Sequence, residues 1–301
     1  MTTMDLPLPA LDDIDGDRLP EALPPVVDAH VHLFPDRVFE AVWRWFDRHG
    51  WPIRHKLHTP RVIEFLLGRG VTRLVALCYA HKAGMARALN HYMAAVQAGE
   101  PRVVGLGTVL PGEEGADEIV AEAFALGLHG LKLHCHVQAF AADSEGARAV
   151  YAACEARDKP VIVHAGRSPA SPAYPCDVHE ICTPDAIERV LRDHPKLRLC
   201  VPHLGADELD AYERLVTRYD NLWLDTTMVV GGYFKGLAPE RVIFARPERM
   251  MYGTDFPNLP YAWDREIKAI AKMGLKEEQL AMLLGGTATE FYGAGQSQQK
   301  G

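Results

Sequence analysis

The chain has 301 residues, a hydrophobic fraction of 48% and a formal net charge of −8. This composition supports a large apolar core and excludes a disordered chain. The acidic balance, with no basic block, argues against nucleic acid and anionic membrane surfaces as partners. The six cysteines contain no Cys-x-x-Cys pair, so we expect buried free thiols.

Residues 1–25 are acidic and rich in proline, so we predict an irregular N-terminal lead-in. This segment lacks the apolar region of a secretory signal, and the chain contains no run of ~18 apolar residues that would span a membrane. We therefore expect a cytoplasmic protein. At the other end, residues 296–301 are expected to form a frayed tail.

Eight short apolar runs, separated by amphipathic stretches, follow the lead-in. The runs cover residues 26–34, 73–79, 103–110, 130–134, 160–166, 197–205, 221–228 and 250–256. The amphipathic stretches cover 61–69, 86–98, 116–125, 145–157, 184–193, 206–218, 263–273 and 276–284. This alternation predicts parallel strands joined by helices. Eight repeats, without a Gly-x-Gly-x-x-Gly after the first run, favour one distorted (β/α)8 TIM barrel over residues 26–295, not a dinucleotide-binding sheet.

Polar side chains interrupt the apolar runs where the predicted strands end. His30 and His32 lie two positions apart on the first strand, so they point to the same side. Further along the chain, the strand ends carry Lys132 and His134, His164, His203 and Asp255. A buried polar group without a partner costs roughly 2–7 kcal/mol. Because the active site of a TIM barrel lies at the carboxyl ends of its strands, these residues indicate one shared site.

Five segments carry a family resemblance. They are Asp28-Ala29-His30-Val31-His32, Gly130-Leu131-Lys132-Leu133-His134, Val163-His164-Ala165-Gly166, Pro202-His203-Leu204-Gly205 and Tyr252-Gly253-Thr254-Asp255-Phe256-Pro257. In this order they resemble the amidohydrolase superfamily. The closest likeness is to the branch that includes aminocarboxymuconate-semialdehyde decarboxylase. The resemblance implies a metal-dependent enzyme built on a TIM barrel.

The resemblance also implies a ligand set. His30, His32, His164 and Asp255 would hold a divalent metal, with zinc as the first choice and manganese, iron or cobalt as alternatives. His203 would act either as an acid/base group or as a ligand of a second metal. Asp255 is a second candidate for proton transfer.

The remaining polar residues have open roles. Lys132 is either a carboxylated lysine that bridges two metals or an ammonium that pairs with a carboxylate or an anionic substrate. We interpret His134 and His136 as substrate-contacting or orienting groups in preference to ligands. Arg167 is a candidate clamp for a substrate carboxylate. The tryptophans of the 34–60 segment either cover a planar substrate or form the core of an extra helix.

These observations predict a metal-dependent hydrolase that attacks a small amide, lactone or ester with metal-activated water. The alternative is a metal-dependent, non-oxidative decarboxylase of an aromatic or muconate-type acid. A catalytically silent barrel that binds a metabolite is the third hypothesis. The expected partner is a small molecule, with a carboxylate as one candidate, and a homodimer is the default assembly for such a barrel.

Overall fold

The computed structural model of the chain describes residues 12–234 and 236–293. The strands among these residues are β1 (Val27–His32), β2 (Arg73–Leu77), β3 (Val103–Gly105), β4 (Leu131–His134), β5 (Val161–His164), β6 (Leu199–Val201), β7 (Leu222–Asp225) and β8 (Met250–Met251). The α-helices are α1 (Asp36–His49), α2 (Thr59–Gly68), α3 (Ala86–Gly99), α4 (Ala116–Ala125), α5 (Cys135–Gln138), α6 (Glu145–Glu155), α7 (Val178–Ile181), α8 (Pro184–Asp193), α9 (Leu209–Arg218), α10 (Pro239–Ala245), α11 (Arg265–Ile270), α12 (Glu277–Ala281) and α13 (Thr287–Tyr292). A π-helical turn, Met282–Gly286, joins α12 to α13.

The strands run parallel and are linked into a ring. β1, β2 and β3 pair as one sheet, and β4 to β8 pair in chain order as a second. A parallel bridge between Gly107 and Leu131 connects the end of β3 to β4. A second parallel bridge, between Val31 and Phe256, connects the segment after β8 to β1. The predicted (β/α)8 barrel is therefore confirmed.

Two apolar clusters form the core. The larger one lies between the strands and the surrounding helices. The smaller one takes residues from six of the eight strands, among them Val75, Ile162 and Met251, and adds Ala288 and Phe291 of α13. Side chains from so many strands meet only inside the ring, so this second cluster fills the barrel interior.

In strand β1, the alternation of inward-facing and outward-facing side chains is interrupted before the strand reaches the mouth of the barrel. Its register with β2 is irregular between Asp28 and Val31. Ala29 belongs to the inner cluster, whereas His30 and His32 line a cavity at the carboxyl ends of the strands. A bulge re-aims side chains in this way. The irregularity therefore allows one strand to pack Ala29 in the apolar barrel interior and to direct the imidazoles of His30 and His32 into the cavity at its mouth.

Helix boundaries follow local signals where these are strong. The hydroxyl of Thr183 accepts a hydrogen bond from the amide of Ala186 at 3.2 Å, and Pro184 occupies the first position of α8. This contact is an N-terminal cap, because a Thr side chain satisfies an amide that has no partner within the helix.

The structure contains the extra helix of the 34–60 segment and shortens the eighth predicted strand. The helix is α1, on which Trp43 and Phe46 pack against the core. The alternative role of these tryptophans, to cover a planar substrate, stays a prediction for Trp45 and Trp51, which line cavities. β8 covers Met250–Met251 only, because the chain after it bends away from strand geometry and reaches a φ of 75° at Asp255.

The lead-in contains no helix or strand over its described residues, 12–25, as predicted. It nevertheless packs against the barrel, since the indole of Trp263 donates a hydrogen bond to the carbonyl of Gly16 at 2.8 Å. The predicted frayed tail lies outside the described residues. All six cysteines are unpaired, and five are buried, which confirms the free thiols. None of the helices in the described ranges has the length and apolarity to cross a membrane.

Glu266 on α11 is a buried carboxyl group that should make stability depend on pH. Its side chain accepts hydrogen bonds from the Tyr261 hydroxyl at 3.1 Å and from the Gly231 amide at 2.8 Å. Burial raises the pKa of Glu266 to about 8. An unfolded glutamate has a pKa of about 4.3, so between the two values the native state keeps a proton that the unfolded state releases.

We therefore expect Glu266→Gln to gain stability relative to the native protein as pH rises from about 5 to 8, by up to ~1.4 kcal/mol per pH unit. Urea unfolding at several pH values measures this difference. The exposed Glu290→Gln is the matched control. A difference between E266Q and the native protein that stays constant over this range would contradict the prediction.

Candidate metal centre

His30, His32 and Asp255 form a compact group at the mouth of the barrel. The Nε2 atom of His32 lies 2.8 Å from Oδ1 of Asp255, and Nε2 of His30 lies 3.7 Å from the same oxygen. Two ligands that are each ~2.1 Å from a tetrahedral zinc ion are about 3.4 Å apart. The three side chains therefore fit a single divalent cation, and their donor set of two imidazoles and one carboxylate suits zinc, manganese, iron or cobalt.

Asp225, at the end of β7, orients His30. Its Oδ2 accepts a hydrogen bond from Nδ1 of His30 at 2.8 Å. Burial alone would raise the pKa of Asp225, but His30 and the hydrogen bonds outweigh it and hold the pKa below the usual range. Since the ionised carboxylate keeps the proton on Nδ1, Nε2 of His30 is left with a free lone pair that faces Asp255.

Asp28 and Gly253 fix the backbone around His30. Oδ1 of Asp28 accepts hydrogen bonds at 3.1 Å from the amides of His30 and Thr254, and Oδ2 accepts one from the Thr254 hydroxyl at 2.6 Å. A Cβ atom on Gly253 would lie 2.8 Å from Cβ of His30 and 2.6 Å from the Thr227 hydroxyl. Glycine is therefore required in Tyr-Gly-Thr-Asp for the chain after β8 to pass β1.

His203 lies across the cavity from this group. Its amide donates to Oδ1 of Asp225 at 2.9 Å, and its Nδ1 lies 3.1 Å from the carbonyl of Thr227. Because a carbonyl only accepts, Nδ1 carries the proton, and Nε2 accepts a hydrogen bond from Nδ1 of His164 at 3.1 Å. Burial lowers the pKa of His203, which favours this neutral form.

The backbone at His203 is unusual. Its φ is 59°, a left-handed value that costs about 1–3 kcal/mol for a residue other than glycine. Gly205 is also left-handed, and a Cβ atom there would lie only 1.9 Å from the ring of Tyr212. The Pro-His-Leu-Gly segment therefore needs its glycine so that the turn can place His203 over the cavity.

The predicted ligand His164 does not lie in the compact group of His30, His32 and Asp255. It is close to His134, with stacked rings 4.1 Å apart, and to His136, with ring centres 4.7 Å apart. Burial lowers the pKa of both His134 and His164 well below the usual range. The assignment of His164 to the first metal remains a prediction.

Lys132 projects from β4 into the same cavity. It is fully buried, and its Nζ has no hydrogen-bond partner among the described residues. Burial lowers the pKa of Lys132 to about 8, although Asp225 and Asp255 act in the opposite direction. Carboxylation of Lys132 stays a prediction, and so does its alternative role as an ammonium that binds an anion.

Arg167 lies outside the cavity. Its guanidinium pairs with Glu208 at 3.1 Å and approaches Asp207 at 3.8 Å, and it lines a separate surface depression. The expected clamp for a substrate carboxylate is therefore not formed in this arrangement. The sequence places Arg167 in the loop after β5, but the direction of its side chain depends on acidic residues that follow β6.

Seven of the nine predicted site residues line one cavity of about 40 Å3; the other two, His136 and Arg167, do not reach it. An apolar pocket of about 260 Å3 adjoins the cavity beside α1. Both spaces are lined by Phe46, Tyr79, His134 and Tyr174. Of these four, only His134 was predicted as a site residue. Phe46 and Tyr174 were not, because their approach depends on how α1 and the loop after β5 fold over the barrel, and neither was Tyr79, which follows β2.

The sequence pattern of the amidohydrolase family matches residues 27–294. The chain belongs to this family. The match starts at β1 and includes the whole barrel, and therefore every residue of the centre described above. No functionally curated protein matches this amidohydrolase.

Solved structures similar to this amidohydrolase include two decarboxylases. The 5-carboxyvanillate decarboxylase of Sphingomonas paucimobilis is 18% identical with a TM-score of 0.65, and the match covers 89% of this chain and 98% of that one. The dihydroxybenzoic acid decarboxylase of Polaromonas, solved with manganese and 2-nitroresorcinol, is 12% identical with a TM-score of 0.66, covering 92% and 99%. An uncharacterized TIM-barrel protein of Bordetella bronchiseptica is 22% identical with a TM-score of 0.70, covering 90% and 100%. At these identities the likeness establishes the fold.

The role of Asp225 can be tested through metal affinity. In Asp225→Asn the amide would keep the hydrogen bond to the His203 backbone but present an NH2 group to His30. The proton of His30 would then move to Nε2 and block the ligand position. We expect the affinity for Zn2+, measured by competition with a chelator, to fall about 10–100-fold.

The exposed Asp220→Asn is the matched control, and circular dichroism reports whether both variants fold. A folded D225N that binds Zn2+ as tightly as the native protein would rule out the orienting role.

Proposed function

We propose that this amidohydrolase is a metal-dependent decarboxylase of a small aromatic carboxylic acid. The observation that carries the proposal is the arrangement around the cavity. A buried ammonium, that of Lys132, and a set of candidate metal ligands face a small polar space that adjoins an aromatic pocket and shares four of its lining residues. A ligand with one anionic end and one planar apolar end matches both parts.

Size assigns the two ends of such a ligand. The polar cavity of about 40 Å3 has room for a few water molecules, so it admits a carboxylate or a phenolic oxygen but not a ring. The adjoining pocket of about 260 Å3 is large enough for a ring, and its walls include Trp45 and Tyr174, whose ring centres are 5.0 Å apart. Planar side chains of this kind bind aromatic ligands by stacking and by burial of apolar surface.

Once a divalent cation is bound, charge favours an anion in the polar cavity. Among the described residues that line it, Lys132 is the only lysine or arginine, and it has no carboxylate partner within hydrogen-bond distance. A divalent cation at His30, His32 and Asp255, when bound, supplies further positive charge for an anionic oxygen. The similar decarboxylase that was solved with manganese supports a metal of this class, with zinc and manganese as the first two candidates.

The reaction needs little from the protein beyond position and a proton. The bond between the ring carbon and the carboxylate breaks, its electron pair stays on the ring carbon, and carbon dioxide leaves. A proton then binds to the ring carbon in place of the carboxylate. Lys132, His203 and Asp255 face the cavity and can hold or pass protons, while the aromatic walls exclude bulk water.

Hydrolysis of a small ester, lactone or amide is the second candidate. It is favoured by one observation: the Asp255 carboxylate and the His203 imidazole both face the cavity, and His203 is held as a neutral imidazole. A carboxylate beside a metal site is suited to the activation of water, and His203 can join it when its Nε2 atom no longer accepts from His164.

A product assay separates the two reactions. The metal-loaded protein would be incubated with hydroxybenzoic and muconate-type acids, and in parallel with aromatic lactones, esters and amides in H2 18O. We expect release of carbon dioxide from at least one acid, with no incorporation of 18O into the organic product. Incorporation of 18O without release of carbon dioxide would replace decarboxylation by hydrolysis. The absence of both would favour a binding barrel.

Lys132 provides a second test, in which activity and stability move in opposite directions. Lys132→Met keeps the length of the side chain and removes the buried amine that lacks a partner. We expect the free energy of unfolding to increase by about 1–3 kcal/mol, whereas kcat/KM for the acid falls at least ~100-fold.

The exposed Lys272→Met is the control, with an expected change in stability below ~0.5 kcal/mol. Retention of full activity by K132M would contradict the proposed role of Lys132 in anion binding.

A further inference from the structure

The apolar pocket beside α1 differs in chemistry from the polar cavity that it adjoins. None of the described residues in its wall is a lysine, an arginine, an aspartate or a glutamate. Four of its lining residues, Phe46, Tyr79, His134 and Tyr174, also face the polar cavity. Among the remaining lining residues, the only ionisable side chain is that of His81. The pocket therefore offers very little charge to a ligand.

His81 does not supply a positive charge at neutral pH. Its side chain is exposed, so it lies at the open side of the pocket. Partial burial and the neighbouring Lys82 lower the pKa of His81 below its usual value. The imidazole is therefore mostly neutral at pH 7, and it cannot balance the charge of a carboxylate in the pocket.

One face of α1 forms the apolar side of the pocket. Val38, Ala41, Val42 and Trp45 all line it, and they are spaced three or four positions apart on this helix. Such spacing places side chains on the same face. On the other side lies the loop after β5, and Tyr174 of this loop contacts Trp45 with ring centres 5.0 Å apart. Helix and loop together close an apolar space over the barrel.

The size of the pocket leaves room beyond a single ring. A cavity of about 150 Å3 holds benzene, and the pocket has about 260 Å3. When the carboxylate of an aromatic acid occupies the polar cavity, the opposite edge of its ring enters the apolar pocket. A second carboxylate on that edge would lose water without gaining a cationic partner, which is costly. An uncharged substituent would gain apolar contacts in the same place.

We propose that this centre selects aromatic monocarboxylic acids with an uncharged substituent on the far edge of the ring, and that it rejects diacids of the same shape. The residues that determine this choice are those on the pocket face of α1. The inference rests on the proposed function, because that function places the carboxylate in the polar cavity. It concerns binding, however, and is tested without turnover.

Two acids of nearly equal shape test the selectivity. The 4-nitrobenzoate ion carries one negative charge and the ion of benzene-1,4-dicarboxylic acid carries two, while the nitro and carboxylate groups have almost the same form. Isothermal titration calorimetry would measure the binding of each to the manganese-loaded protein at neutral pH. We expect the nitro acid to bind at least ~100-fold more tightly than the diacid. The pair with the same groups at position 3 should differ in the same direction.

A new positive charge in the pocket should reverse part of this preference. Ala41 is exposed and lines the pocket, so Ala41→Arg adds a guanidinium without disturbing the core. We expect the diacid to bind at least ~10-fold more tightly to A41R than to the native protein, with no such gain for the nitro acid. Ala98→Arg, at an exposed position of α3, adds the same charge elsewhere and should change neither affinity. Val38→Arg is a second variant on the pocket face of α1.

Two results would overturn the selectivity: equal affinity of the native protein for the two acids, or an unchanged affinity for the diacid in both A41R and V38R. Tight binding of both acids to the native protein would reject only the selectivity and leave the proposed decarboxylation standing. Failure of every acid to bind the metal-loaded protein would reject the selectivity and the proposed function together.

Discussion

The hydrogen bond between Asp225 and His30 joins β7 to β1 across the mouth of the barrel, and much of the centre depends on it. One oxygen of Asp225 accepts from His30 at 2.8 Å, and the other accepts from the backbone amides of His203 and Thr227 at 2.9 and 3.2 Å. The Asp225 carboxylate thus fixes the position of the proton on the His30 imidazole and the position of the His203 backbone. Because the group is fully buried, no water can replace these contacts.

The strained turns of the centre follow from the same constraint. His203 and Asp255 both adopt left-handed φ angles, of 59° and 75°. Such angles persist only where surrounding contacts over-determine them. For His203 the contacts come from Asp225 and Thr227, and for Asp255 they come from the hydrogen bond of its amide to the carbonyl of His30 at 2.9 Å. The interior of the barrel is packed with apolar side chains. The burial of their apolar surface offsets the free-energy cost of the buried polar groups and strained turns at the mouth.

The sequence predicts the parts of the centre that depend on strand periodicity. His30, His32, Lys132 and His164 close apolar runs of recognisable length, and parallel strands in a barrel bring their carboxyl ends together. The shift of register in β1 is not visible in the sequence, because it depends on pairing with β2. Nor does strand periodicity show that His136 lies behind the cavity, since His136 belongs to a single helical turn that follows β4.

The residues that were assigned less well project from loops. Arg167 pairs with Glu208, and Tyr174 reaches Trp45 on α1; both contacts join segments far apart in the chain. No local pattern specifies such contacts, because loop side chains take their direction from tertiary neighbours. The role of Asp28 was missed for a related reason. It lies within the recognised His-x-His segment, but its partner, Thr254, comes from the other end of the chain.

The charges at the mouth of the barrel constrain what this centre binds. Two carboxylates, those of Asp225 and Asp255, face the ammonium of Lys132, and both are held in the ionised form by neighbouring groups that outweigh the effect of burial. The binding of one divalent cation at His30, His32 and Asp255 would give this group a net positive charge. In a buried cavity such an excess is costly unless an anion enters with the metal. The charge balance of a metal-loaded centre therefore supports the anionic substrate that we propose for it.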